Sequence, residues 1–404
     1  MAEFPHASRR DVLLGGGAVF ASAAIPRWAS AAGTRDPRLV VIILRGALDA
    51  LSAVGPLGDP NYADLHGELA LTREGPHAAL PLDGFFGLNP AMKTFARLYA
   101  EKQALVIHAA ATGYRERSHF DGQDVLESGM PGPGRTESGW LNRALALVPA
   151  GERVRGQALA VGYTPPLIVR GASPVLGWAP AGLPTPDDDL VSRLSQLYDH
   201  RDIDLGRALR AGLEAERRVR DGAEAMKPGG DASAQMHAAA AGAARLMSAD
   251  DGPRFAALAF DGWDTHVAEG GATGRLANLL SGLDKAFSAL ETGLGRAWSD
   301  TVVIAVTEFG RTARINGDGG CDHGTGTAAF LVGGAVAGGR VIADWPGLKP
   351  TDLYENRDLN PTIDLRAVFK GVLADQLGLA PAGLAEAVFP ETQAVRPLMG
   401  LIRA

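Results

Sequence analysis

The run LVVIIL, residues 39–44, is six apolar residues in succession, four of them β-branched. A strand with one wet face alternates apolar and polar positions, whereas a strand apolar throughout is covered on both faces, the habit of parallel sheets. ALVIHAA (104–110), FAALAF (255–260), TVVIAV (301–306) and AAFLVGG (328–334) read the same way. Segments of helical period lie between them. NPAMKTFARLYAEKQ (89–103) sets Met92, Phe95, Leu98 and Tyr99 on one face, and GRLANLLSGLDKAFSALETGLGRAW (274–298) does so with Leu276, Leu279, Leu280, Leu283 and Phe287. TIDLRAVFKGVLADQLG (362–378) opens with Thr362 as its expected N-cap. Strand, helix, strand order of this kind predicts an α/β fold wound on both faces of a mostly parallel sheet.

The chain has 404 residues, 46% of them hydrophobic and 21% charged, enough to bury a large core. Its net charge of −7 argues against nucleic acid or an anionic membrane as the main partner. The first residues, SRRDVLLGGGAVFASAAIPRWASAAG, combine Arg9 and Arg10, a short apolar run and a small-x-small site at Ala29-Ser30-Ala31. This predicts a twin-arginine signal peptide over 1–31, removed to leave a periplasmic or secreted chain starting near Ala32. No other run is long and apolar enough to span a bilayer. One cysteine, Cys321, leaves no internal disulfide, so stability rests on the core.

Residues 186–250 differ in being rich in Ala, Arg and Glu without strand runs. They read either as a helical insertion capping the sheet or as two crossover helices.

In open parallel sheets, sites form beyond the carboxyl ends of the strands. Asp49 follows the first run in RGALDAL; Ser118 and His119 follow the second in RERSHFDGQDVLESG. Asp264 and His266 follow the third in GWDTH, and Glu308 and Arg311 follow the fourth in TEFGRT. Asp322 and His323 stand in CDHGTGTA before the fifth. Each has a bland reading: Asp49 and Ser118 as helix caps, Glu308 with Arg311 as an ion pair, His323 as a solvated loop residue. Together they predict a shared cleft, since three of the nine histidines fall in these windows within two residues of an acid. Carboxylates with imidazoles and no thiolate suit zinc or manganese in a catalytic site, and the histidines count against calcium. Ser118 at a helix start is the candidate nucleophile, His119 a ligand or proton donor, and Arg311 the fork for an anionic group.

The ordered motifs RGALDAL, RSHFDGQDVLESG, GWLNRAL, GWDTH, TEFGRT with DHGTG, and NPTIDLRAVFKGVLADQLG resemble the DUF1501 family of exported bacterial proteins, from about residue 38 to 400. The family is grouped with the alkaline phosphatase and sulfatase superfamily. The resemblance implies a three-layer α/β sandwich, metal at the strand ends and a nucleophile at a helix N-terminus. On that mapping Ser118, eleven residues before Gly129, matches the nucleophile helix, and Asp264 with His266 matches the Asp-and-His pair, with Asp261 as the rival acid. His323 matches the later single histidine. Glu308-Phe309 stands where Asp-His is usual, which puts a two-metal site in doubt, and Arg45 rather than an acid ends the first strand, so Asp49 serves only if the chain curls back. No Cys-x-Pro-x-Arg sequence is present, which excludes a formylglycine nucleophile; Cys321 reads as structural.

Two functions follow. One is a metal-dependent hydrolase of a small anionic phosphate or sulfate ester. The other is a non-catalytic periplasmic binding protein with a degenerate site.

Overall fold

The computed structural model describes residues 35–148, 158–180, 203–220 and 231–403, with positions 191, 194 and 198 between them. The signal segment 1–31 with Arg9 and Arg10, and much of 186–230, lie outside the described residues.

The five apolar runs are strands: β1 (Arg38–Leu44), β5 (Ala104–Ala111), β8 (Phe255–Phe260), β9 (Thr301–Val306) and β10 (Thr327–Val332). Short strands precede and separate them: β2 (Val54–Gly55), β3 (Leu80–Pro81), β4 (Gly87–Leu88), β6 (Ala158–Val161) and β7 (Val175–Trp178). Two more, β11 (Arg340–Ile342) and β12 (Ile363–Asp364), close the set. The nine-stranded sheet runs β11-β5-β10-β9-β1-β8-β6-β7, with β12 beside β5, while β2, β4 and β3 make a separate small sheet. LVVIIL lies at its heart, where Val41 pairs with Ala257 on one side and Ile304 on the other, both in parallel register.

Within the nine-stranded sheet only β10 runs against its neighbours. Because it is antiparallel, its start lies at the end of the sheet where β9 and β1 finish. The loop before β10 therefore joins the loops after β1, β8 and β9, although it precedes its strand.

Both faces are covered. Val40, Ile42 and Leu44 pack with Leu276, Leu280, Leu283 and Phe287 of the helix Arg275–Leu294. The described helices of the 186–250 segment, Ile203–Arg220 and Ala232–Ser248, add Ala215, Val219, Met236 and Ala240 to that core. Leu39, Val41 and Ile43, pointing the other way, are equally buried. The helix Leu365–Leu377 bonds beneath the sheet through Gln376, whose Nε2 donates to the carbonyls of Arg38 and Asp300. Trp140 stacks on Phe369 of the same helix at 4.8 Å. Helices on both faces of a mostly parallel sheet make the three-layer sandwich expected from the sequence.

One expectation is corrected. Asp364, not Thr362, caps the helix Leu365–Leu377, its carboxylate accepting from the Arg366 N–H. Thr362 instead donates its own N–H to Ala109, because the chain still pairs with β5 there.

Candidate metal centre

Four atoms from three loops meet at the carboxyl edge of the sheet: Nε2 of His119, His266 and His323, and Oδ1 of Asp264. His323 Nε2 lies 2.9 Å from Nε2 of both His119 and His266. Asp264 Oδ1 lies 3.0 Å from His266, 3.3 Å from His323 and 3.5 Å from His119. A tetrahedron of ligands around zinc with bonds near 2.05 Å has edges of about 3.3 Å. These five of the six edges bracket that value, and the ligand atoms of His119, Asp264 and His323 all lie within 4.8 Å of one another.

The outer nitrogens fit a candidate ligand set. His323 Nδ1 faces the Arg117 carbonyl at 3.0 Å, which only accepts, so Nδ1 carries the proton and donates. His119 Nδ1 donates to Glu308 Oε1 at 2.8 Å. The two Nε2 atoms, 2.9 Å apart, therefore share either a proton on His119 or a metal ion between them. His266 presents Nδ1 toward Asp322 Oδ1 at 3.5 Å. A carbonyl or carboxylate behind each imidazole is the usual outer support of a metal-binding histidine.

The electrostatics agree. The Glu308 hydrogen bond raises the pKa of His119 against the effect of burial. Burial, with His119 and Arg311 nearby, lowers that of His323. Burial pulls the Asp264 carboxyl upward, but the Arg311 guanidinium and the imidazoles outweigh it and hold it below the ordinary range. Glu308 is likewise held low despite burial, by His119, Gln123 and backbone N–H groups.

The expected residues divide sharply. Asp264, His266, His323 and His119 form the cluster, and Asp261 is not among its partners. Glu308 stands behind it: Oε1 also accepts from the Gly46 N–H at 2.9 Å and from Gln123 at 3.1 Å, while Thr307 donates to Oε2. It meets the cluster through His119 Nδ1, so it is placed to orient that ring. Asp322 plays the same part for His266. Asp49 is elsewhere; it caps the helix Ala50–Ala53 and faces His66 at 3.1 Å.

Arg311 differs from expectation in kind. Its Nε donates to Ala47, Nη1 to Cys321, and Nη2 to Gly46, Trp263 and Asp264 Oδ1. The side chain is buried and its donors are committed, so it ties three loops together and offers no fork to an anion.

Ser118 occupies the N-cap position of the helix His119–Ser128, and its hydroxyl makes no capping bond. It stands between Arg117, whose carbonyl holds His323, and His119 itself. Arg117 has a left-handed backbone with φ of 59°. Its guanidinium is clamped by buried Asp358 and by Glu355.

Several supports were not singled out in the sequence. Gln123 lies one helical turn after His119, so both reach Glu308 from one face, a spacing legible in SHFDGQ. Phe309, which replaces an expected ligand, stacks on the His119 ring at 5.0 Å. A Cβ at Gly122 would meet the Phe309 ring at 2.9 Å, so that glycine admits the stack. Gly46 has φ of +121° and lies so close to the next loop that a Cβ would stand 2.4 Å from Asp264 N.

Among solved structures, similar folds include three hydrolases. The phosphonate monoester hydrolase of Agrobacterium radiobacter shares 14% identity over 85% of this chain and 74% of that one, with a TM-score of 0.31. The alkaline phosphatase of the Antarctic bacterium TAB5 shares 13% over 76% and 95%, with a TM-score of 0.34. The PsFucS1 sulfatase of Pseudoalteromonas sp. shares 13% over 78% and 66%, with a TM-score of 0.35. No curated protein sequence matches the chain. The family described as "Protein of unknown function (DUF1501)" matches residues 36–388, from the edge of β1 to the last helical turns. The chain belongs to the DUF1501 family.

Proposed function

We propose that the protein is an exported, metal-dependent hydrolase of a small phosphate or sulfate ester, with Ser118 as nucleophile. The observation that carries this reading is the convergence of three imidazole Nε2 nitrogens and one carboxylate oxygen, one of the imidazoles being His119, the residue after Ser118, whose hydroxyl makes no capping bond. His119, His266, His323 and Asp264 would hold the ion, zinc or manganese by their chemistry. A divalent ion there supplies Lewis acidity, drawing charge from an anionic ester and favouring the ionised form of a neighbouring hydroxyl.

The chain's own contributions follow from placement. Ser118 attacks phosphorus or sulfur; the new Oγ bond forms as the ester bond to the alcohol breaks, and the proton that Ser118 gives up passes through water to the departing alkoxide. Water then hydrolyses the seryl ester, restoring Ser118 and releasing phosphate or sulfate. The free N–H groups and positive end of the helix His119–Ser128 favour the anion beside Ser118. Arg311 holds Asp264 in place and keeps water from the loops beneath it.

The test is turnover of aryl phosphates and aryl sulfates by metal-loaded protein and by Ser118→Ala. The variant should fold and bind metal as the parent does, because no cap bond is lost, yet lose turnover. Retained turnover would shift the attack to water. An inactive parent favours the second reading, a binding protein, which the full commitment of Arg311 to backbone carbonyls also favours.

Export by the twin-arginine route is part of the proposal, on the strength of Arg9 and Arg10 ahead of the apolar segment. Replacing both by lysine should leave the precursor in the cytoplasm; normal export of that variant would exclude the route. Among the described residues no helix is long and apolar enough to cross a membrane.

A further inference from the structure

A second group of ligating atoms lies sealed in the interior, on the far side of Arg311 from the imidazole cluster. Asp49, His66 and Cys321 are all buried and bring a carboxylate oxygen, an imidazole nitrogen and a thiol sulfur within 4.8 Å of one another. Glu269 is buried with them and acts electrostatically on each.

Each carboxylate has one oxygen tied to the chain and one left over. Asp49 Oδ1 accepts from the Leu51 N–H, and Glu269 Oε1 from the Thr265 hydroxyl. Asp49 Oδ2 and Glu269 Oε2 are buried without a hydrogen-bond partner. Buried polar atoms are almost always satisfied, so two such oxygens beside one thiol require an explanation. His66 supplies part of it. Its Nδ1 faces the Ala313 carbonyl at 3.0 Å, and its Nε2 lies 2.8 Å from the Ser52 hydroxyl and 3.1 Å from Asp49 Oδ2. Nε2 meets that carboxylate oxygen through a proton or a metal ion, and Glu269 Oε2 is still left without a partner.

We propose that Asp49, His66 and Cys321, with Glu269 beside them, form a fully buried zinc site, separate from the exposed imidazole cluster. Thiolate, imidazole and carboxylate together suit zinc, whereas magnesium and calcium take oxygen ligands. The site is sealed from solvent, so the ion serves structure and not turnover. It joins the segments that carry the outer site: Glu269 follows His266 by three residues, and Cys321 precedes His323 by two. The buried ion thus braces both histidines from below. Arg311, which donates to the Cys321 carbonyl and to Asp264, spans the two sites.

The chain has one cysteine, so any sulfur-to-metal charge transfer has a single source. The probe is cobalt(II), introduced by producing the full-length protein in cobalt-supplemented, zinc-depleted medium. Wild type should show the near-ultraviolet absorption of a thiolate bound to cobalt. Cys321→Ser should lose that absorption and about one equivalent of cobalt, while His323→Ala should keep it, which separates this site from the outer one. Zinc-edge X-ray absorption of unsubstituted wild-type protein gives a reading free of variants, with one sulfur expected at about 2.3 Å. A folded, cobalt-loaded wild type without charge-transfer absorption, a Cys321→Ser that retains all its cobalt, or a zinc edge without sulfur would each overturn the proposal.

Discussion

His323 donates through Nδ1 to the carbonyl oxygen of Arg117, 206 positions earlier and 3.0 Å away. The residue just before the candidate nucleophile thereby fixes the tautomer of a candidate ligand. Arg117 turns its carbonyl there from a left-handed backbone, and the ion pairs of its side chain with Asp358 and Glu355 hold that conformation. Nucleophile and ligands are positioned by one loop, so displacement of either disturbs both.

Glu308 behind His119 gives the first prediction. Glu308→Gln keeps the shape but removes the charge that orients the His119 ring. Loss of such an outer partner weakens metal binding about 10–100-fold. Isothermal titration with zinc should show that loss with the fold unchanged; unaltered affinity would remove Glu308 from the role of positioning residue.

Arg311→Lys should be costly to stability. A single ammonium cannot serve the carbonyls of Gly46, Ala47, Trp263 and Cys321 together with Asp264. Breaking a buried network of this kind costs about 3–5 kcal/mol. Denaturant unfolding measures it, and a loss below about 1 kcal/mol would show that the guanidinium is not the tie between loops.

The sheet was legible in the sequence where burial is total. LVVIIL, FAALAF and TVVIAV carry their own evidence because β1, β8 and β9 are covered on both faces. The strands β6, β7 and β11, three or four residues long, lack enough apolar length to stand out from loops. The antiparallel course of β10 was also hidden, since AAFLVGG reads alike in either direction. The cluster was legible because strand ends concentrate ligands, which brought His119, Asp264, His266 and His323 forward. The division between ligand and support was not, for it depends on which ring nitrogen faces which neighbour. Arg311 shows the limit: TEFGRT suggests a charge available to substrate, and only the fold reveals the carbonyls that consume it. His66 and Glu269 lie on no strand end, and nothing in their local sequence marked them.

His108 predicts a pH dependence. Its ring is fully buried, with Nε2 donating to Val54 and Nδ1 accepting from the Ala109 N–H, so both nitrogens are used in the neutral form. Burial pushes its pKa from 6.5 down to about 4. Between those values the unfolded chain binds a proton that the native chain refuses, so stability falls as pH falls through this window. The contribution is about 3 kcal/mol, present above pH 6.5 and lost by about pH 4. Urea unfolding across the window should be shallower in pH for His108→Gln than for wild type, whatever the variant's absolute stability; equal slopes would contradict the assignment.

The central claim is that His119, His266, His323 and Asp264 hold a divalent transition ion. Its most direct test is the metal content of full-length exported protein purified without chelator, beside His323→Ala prepared identically. Wild type should hold about one equivalent more zinc or manganese than the variant, and adding zinc to metal-depleted protein should raise the thermal midpoint of wild type further than that of the variant. Equal metal content in the two proteins, with no thermal shift in either, would contradict it.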